Sequence, residues 1–130
     1  MFAIVSGQEK ESDNQAYTLE TMMVRIAEIE VEPDYLDEYI SILKEEAEAS
    51  VRLEPGVICI YPMFQKENPT QIRLLEIYAD KAAYESHLQS SHFKHYKEST
   101  LPMVKSLQLL DMGVIDKETM SSIFKKMNTQ

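Results

Sequence analysis

The sequence predicts an α+β fold: one antiparallel sheet with helices on it, in the order β-α-β-β-α-β. Three observations predict it. Hydrophobic periodicity switches between two and about 3.6 along the chain. The two middle apolar runs are separated by only a few turn-forming residues, as in a hairpin. The helical segments begin and end at residues suited to caps and stops. A chain of 130 residues is one domain's worth, long enough to bury a core without disulfides or metals.

The elements follow in order. "MMVRIAEIEV" (residues 22–31) alternates and is rich in β-branched residues, which predicts a strand. In "EPDYLDEYISILKEEAEASVRLEPG" the period changes. Pro33 suits a first helical turn, and Asp34 and Glu38 sit near the positive end of the dipole. Leu36, Ile40, Leu43, Ala47 and Val51 form the expected apolar stripe, with the "EEAE" run on the wet face. Pro55 and Gly56 stop the helix. "VICIYPMFQK" and "QIRLLEIYA" are two strands joined by "ENPT", and Pro62 marks an edge strand or a bulge. Asp80 is a good N-cap for "KAAYESHLQ", and Ser90 or Ser91 for "HFKHYKEST". "MVKSLQLLDMGVI" is a last strand, and "DKETMSSIFKKMNTQ" a short terminal helix. This order is the split βαβ, ferredoxin-like unit.

Both faces of the middle strands are mainly apolar. Ile72, Leu74, Glu76 and Tyr78 point one way, and Leu75, Ile77 and Ala79 the other. Helices on one side should leave a wet face on the other. The economical cover for a second apolar face is a second copy of the chain, so a homodimer is expected.

A net charge of −9 argues against nucleic acid or an anionic membrane as partner. No stretch is long and apolar enough to span a bilayer. Cys59, the single cysteine, lies in an apolar strand and reads as a buried small hydrophobe. Residues 1–21 read as an N-terminal arm, 22–115 as the domain, and 116–130 as a helical tail. A cytoplasmic protein is expected. The alternative is export, if residues 1–7 are the tail of a signal peptide lacking its charged start.

"VRIAEIEVEP", "EPGVICIYPMF" and "LLEIYADKAAYESHLQSSHF" together resemble the antibiotic-biosynthesis monooxygenase family. That family's pattern has a Glu-Pro-Gly or Glu-Glu-Gly turn after the first helix, then an apolar strand ending in Glu-x-aromatic. Ala-x-x-x-His and a Ser/Thr-x-His-Phe-like element follow. These fall on Glu54 to Gly56, Glu76 to Tyr78, Ala83 to His87, and Ser90 to Phe93, within a resemblance covering about residues 22 to 115. The resemblance implies a dimeric α+β barrel. It also implies similarity to small quinol monooxygenases, which need neither metal nor flavin and use O2 on a reduced, electron-rich aromatic. Two other branches fit less well. The Asn, Trp and His of the haem-degrading branch would be Ile29, Tyr78 and Lys97, and the chain has no tryptophan. The first-helix histidine of the autoinducer-processing isomerases would fall at Ala47.

The three histidines, His87, His92 and His95, lie within nine positions. His87 and His92 are five apart, about 140° round a continuous helix at roughly 100° per residue. They therefore diverge unless the helix breaks, and no metal site is expected. A quinol monooxygenase needs a base for a phenolic proton, and histidine or a buried glutamate can serve. Glu76, mid-strand on an apolar face, must have a partner, a raised pKa or water. It and His87 are the candidate catalytic residues. Their structural alternatives are pairing of Glu76 with Arg25, Arg73 or a helix N-terminus across the dimer, and, for His87, packing on the sheet with a hydrogen bond to Glu76 or a backbone carbonyl. Tyr78, His92, Phe93 and Glu28 are the candidate substrate-binding residues; His95 reads as surface. The rival reading is a non-catalytic small-ligand-binding or stress-response protein of the same fold.

Overall fold

The computed structural model describes residues 20–128; most of the expected N-terminal arm lies outside the described residues. The elements are β1 (Met23–Val31), a 3-10 turn (Pro33–Tyr35), α1 (Leu36–Leu53), β2 (Val57–Gln65), β3 (Asn68–Tyr78), α2 (Lys81–Leu88), α3 (Ser91–Thr100), a second 3-10 turn (Leu101–Met103), β4 (Val104–Met112) and α4 (Lys117–Met127). The four strands form one sheet in the order β2-β3-β1-β4. All three pairings are antiparallel, the ferredoxin-like arrangement.

Local chemistry fixes the boundaries. The Asp80 carboxylate accepts from Ala83 N–H at 2.7 Å, the Ser90 hydroxyl from Phe93 N–H at 3.2 Å, and the Asp116 carboxylate from Glu118 N–H at 3.1 Å. Each satisfies a helix-start donor that would otherwise have no partner. Pro62 is tolerated because β2 is an edge strand. The hairpin is tighter than its sequence indicates. Its turn is Lys66-Glu67, and Asn68, Pro69 and Thr70 of the expected linker belong to β3.

The core lies between sheet and helices, around Ala27, Ile29, Val31, Leu43, Ile72 and Tyr78. The face that α1 buries is rotated from the expected stripe. Tyr39, Leu43, Glu46, Ala47 and Ser50 are buried, while Val51 is exposed. Tyr39 wins a place inside because its hydroxyl meets that of Tyr96 at 2.7 Å, so a large ring is buried with its polar tip satisfied.

Register and alternation divide the other face of the sheet in two. Val24, Ile26, Leu75, Ile77, Leu110 and Met112 meet at one end; Glu28, Glu30, Gln71, Arg73, Ser106 and Gln108 meet at the other. Only the first half is apolar, which narrows the expectation of a face needing cover throughout. Among the described residues, no helix is long and apolar enough to cross a membrane.

Candidate active site

A cavity of about 600 Å³ lies between the sheet and α2–α3. It extends along the inner face of β4, where Leu107 and Leu109 remain exposed. Ile60, Leu74, Tyr78, Phe93, Tyr96 and Leu101 give it a mainly apolar and aromatic wall. Into that wall are set Arg25, Glu46, Glu76 and His87.

Glu76 stands on β3 opposite Arg25 of β1. Its carboxylate accepts the Tyr78 hydroxyl at 2.6 Å. Burial raises the Glu76 pKa, and the Tyr78 hydroxyl, Arg25 and His87 pull it partly back. Burial, then the Glu76 carboxylate, push the Tyr78 phenol far up, so Tyr78 stays a donor. Arg25 is held elsewhere as well: it pairs with Asp111 at 3.0 Å and stacks on the Tyr84 ring at 4.6 Å. The expected partner is therefore present as a neighbouring charge, while Tyr78 makes the direct bond.

His87, at the end of α2, is 2% exposed. Its Nδ1 lies 2.9 Å from Glu54 Oε2, and its Nε2 lies 3.5 Å from Glu46 Oε2. Glu46 lines the cavity and Glu54 does not, so Nε2 is the cavity-side nitrogen. Rings of Phe93 (4.9 Å) and Tyr78 (5.5 Å) flank the imidazole. Burial raises the Glu46 pKa, against the Ser50 hydroxyl bond and the nearby His87 and His92. Ser50 donates to Glu46 Oε2 at 2.8 Å.

Glu54 is placed by the end of α1. Its N–H still bonds the Ser50 carbonyl (3.1 Å), and its own carbonyl accepts from Val57 N–H (3.0 Å) across the Pro55-Gly56 turn. The turn lies so close to α2 that a Cβ on Gly56 would sit 2.5 Å from that of Ala83. The same Glu54 oxygen also receives His92 Nε2 at 2.5 Å. His87 and His92 converge because the helix breaks between them. Ser90 N–H and its hydroxyl both bond the His87 carbonyl, at 3.0 and 2.7 Å, and a new helix starts. The divergence expected of a continuous helix does not occur.

The sequence-derived candidates thus separate. Glu76, His87, Tyr78 and Phe93 line one cavity. His92 is bound to Glu54 and is not among the lining residues. Glu28 is misplaced by the sequence reading: it points to the opposite face, 3.8 Å from Arg73, because it alternates out of phase with Ala27 and Ile29. His95 is exposed. Two residues were missed. Glu46, read as wet surface, lies three residues after Leu43 and seven after Tyr39, on the buried stripe. Glu54 was noted only as part of a turn.

A buried acid and an imidazole face one aromatic-lined cavity on a ferredoxin-like sheet, an arrangement of the kind that small-molecule sites with acid–base chemistry use. The profile of the antibiotic biosynthesis monooxygenase family matches residues 22–99, and the chain belongs to that family. It is 49% identical to a protein of Bacteriodes thetaiotaomicron VPI-5482, solved under the provisional name of antibiotic biosynthesis monooxygenase. That match covers 76% of this chain and 94% of the other, with a TM-score of 0.75. A provisionally named monooxygenase of Lactobacillus acidophilus NCFM is 27% identical over 75% of this chain and 46% of its own, with a TM-score of 0.71. A third provisionally named family member, from Nitrosomonas europaea, shares the fold at 20% identity. It matches over 74% of this chain and 92% of its own, with a TM-score of 0.69. No curated protein matches the chain.

Proposed function

We propose that the chain is a monooxygenase that uses O2 on a quinol or another electron-rich aromatic without a redox cofactor. The observation that carries this reading is the convergence of Glu76 and His87 on one aromatic-lined cavity. Their residue types supply a proton acceptor beside a slot suited to a flat ring.

His87 Nε2 takes the phenolic proton, and Glu54 orients the imidazole by accepting from Nδ1–H. Glu76, with Tyr78 donating to it, holds the second ring hydroxyl. Removing the proton makes the ring a better electron donor to O2. The overall balance is hydroquinone plus O2 giving hydroxyquinone plus water, with one oxygen atom entering the ring. The apolar wall excludes water from the reduced oxygen species. A homodimer, joined through the apolar half of the open sheet face, is the proposed working form.

The test is oxygen uptake by metal-stripped protein over a panel of hydroquinones, beside Glu76→Gln and His87→Gln. Uptake above the spontaneous rate should fall about 10²–10⁴-fold in His87→Gln, the usual worth of a general base. Absence of uptake with every quinol, by folded protein, would reject the oxygenase and leave a small-ligand-binding protein.

A further inference from the structure

Glu54, His87 and His92 offer three ligand atoms that lie within 4.8 Å of one another. They are a carboxylate oxygen and two imidazole nitrogens, the donor set that suits zinc and other divalent transition metals. The oxygen is 2.9 Å from His87 Nδ1 and 2.5 Å from His92 Nε2. Metal bonds of about 2.0–2.2 Å separate neighbouring tetrahedral ligands by about 3.4 Å, so a shift of about 1 Å at the carboxylate opens room for an ion. The ligands come from three separate elements: the end of α1, the end of α2 and the first turn of α3. His87 also has the outer partner that metal-bound histidines characteristically use. Glu46 Oε2 lies 3.5 Å from its other nitrogen, and Ser50 holds that carboxylate in place.

We propose that Glu54, His87 Nδ1 and His92 Nε2 form a binding site for a divalent transition-metal ion such as Zn²⁺, and that occupancy switches the tautomer of His87. Without the ion, His87 Nδ1–H donates to Glu54 and the cavity-side Nε2 carries the lone pair. With the ion, the Nδ1 lone pair is committed to the metal. The ring proton moves to Nε2 and is donated to Glu46. His92 shifts its proton from Nε2 to Nδ1 in the same way, so neither ring loses a proton overall. The basic nitrogen facing the cavity is thereby removed. Metal binding itself is independent of the function proposed above; inhibition by the metal rests on His87 being the base there.

The experiment uses the full chain, free of affinity tag, titrated with Zn²⁺ by calorimetry after treatment with chelator. The expected result is one ion per chain, lost in His92→Gln and in Glu54→Gln. Affinity should weaken about tenfold or more in Glu46→Gln, as for loss of an outer hydrogen-bond partner. The ¹⁵N signals of the imidazoles in the unmutated protein give a second readout, with His87 passing from Nδ1–H to Nε2–H on binding. Absence of saturable binding, or equal binding by His92→Gln and Glu54→Gln, would overturn the site. Binding with no change at His87 would overturn the tautomer switch. Circular dichroism identifies any variant that fails to fold, in which case the imidazole signals decide. Zinc binding by a protein that consumes no oxygen would reject the oxygenase and leave the metal site standing. An active enzyme that binds no zinc would do the reverse.

Discussion

Replacing Gly56 by alanine should damage both stability and the His87 pairing, and the size of the effect can be worked from the structure. The added Cβ would lie 2.5 Å from the Cβ of Ala83, about 1 Å inside ordinary carbon–carbon contact. Both atoms are attached directly to backbone, so no side-chain rotation relieves the clash. The turn must move away from α2 by about that 1 Å. The turn carries Glu54 and α2 carries His87, whose bond of 2.9 Å would stretch beyond hydrogen-bonding range. Overpacking costs about 1–3 kcal/mol, and loss of a hydrogen bond to a charged group about 1.5–3 kcal/mol. Urea unfolding followed by circular dichroism measures the sum. Ala83→Gly alone should cost up to about 1 kcal/mol in helix propensity, yet it should recover most of the Gly56→Ala loss in the double mutant. The reasoning is refuted if Gly56→Ala lies within about 0.5 kcal/mol of the parent, the range of an inconsequential surface change. It is refuted equally if the two substitutions are additive.

Other expectations follow from the same geometry. Glu46 and Glu76 have folded-state pKa values raised chiefly by burial, so each favours folding most below its unfolded pKa. That contribution is lost as pH rises through the folded value. Glu46→Gln should therefore gain on the parent in urea midpoint between pH 4 and pH 8, and a gap constant across that range would contradict it. Tyr78→Phe removes the hydroxyl held by Glu76 at 2.6 Å. It should cost about 1–3 kcal/mol and raise the Glu76 pKa further, seen as an upward shift of its carboxyl ¹³C titration. Leu110→Glu, on the apolar half of the open sheet face, should convert a sedimenting dimer to monomer. Gln108→Glu, on the polar half, should leave the dimer intact; equal behaviour of the two would place the interface elsewhere.

How far the site could be read from sequence depends on whether its cue was local. Glu76 was legible because an acid between Leu74 and Tyr78 on an alternating strand can only enter an apolar face. The case for Glu28 rests on its apolar neighbours Ile26 and Ala27. Adjacent residues on a strand point to opposite faces, so Ala27 enters the core while Glu28 faces Arg73 on the other side. Glu46 was hidden by its neighbours: a run of acids reads as solvated, whereas α1 is seated with Tyr39 packed against Tyr96 and Glu46 on the same buried face. Glu54 and His92 are 38 residues apart, and no periodicity joins them.

Local sequence was enough for the element order, the caps at Asp80 and Ser90, the confinement of Pro62 to an edge strand or a bulge, and the membership of Glu76 in an apolar face. These rest on interactions within a few residues, where periodicity, Gly, Pro and capping side chains act directly. Tertiary structure alone decided the rotation of α1, the face given to Glu28, and the meeting of His87 and His92 on one carboxylate. Those outcomes depend on how the helices are seated against the sheet and against one another. Long-range packing sets that seating, and it leaves no signature in the spacing of residues along the chain.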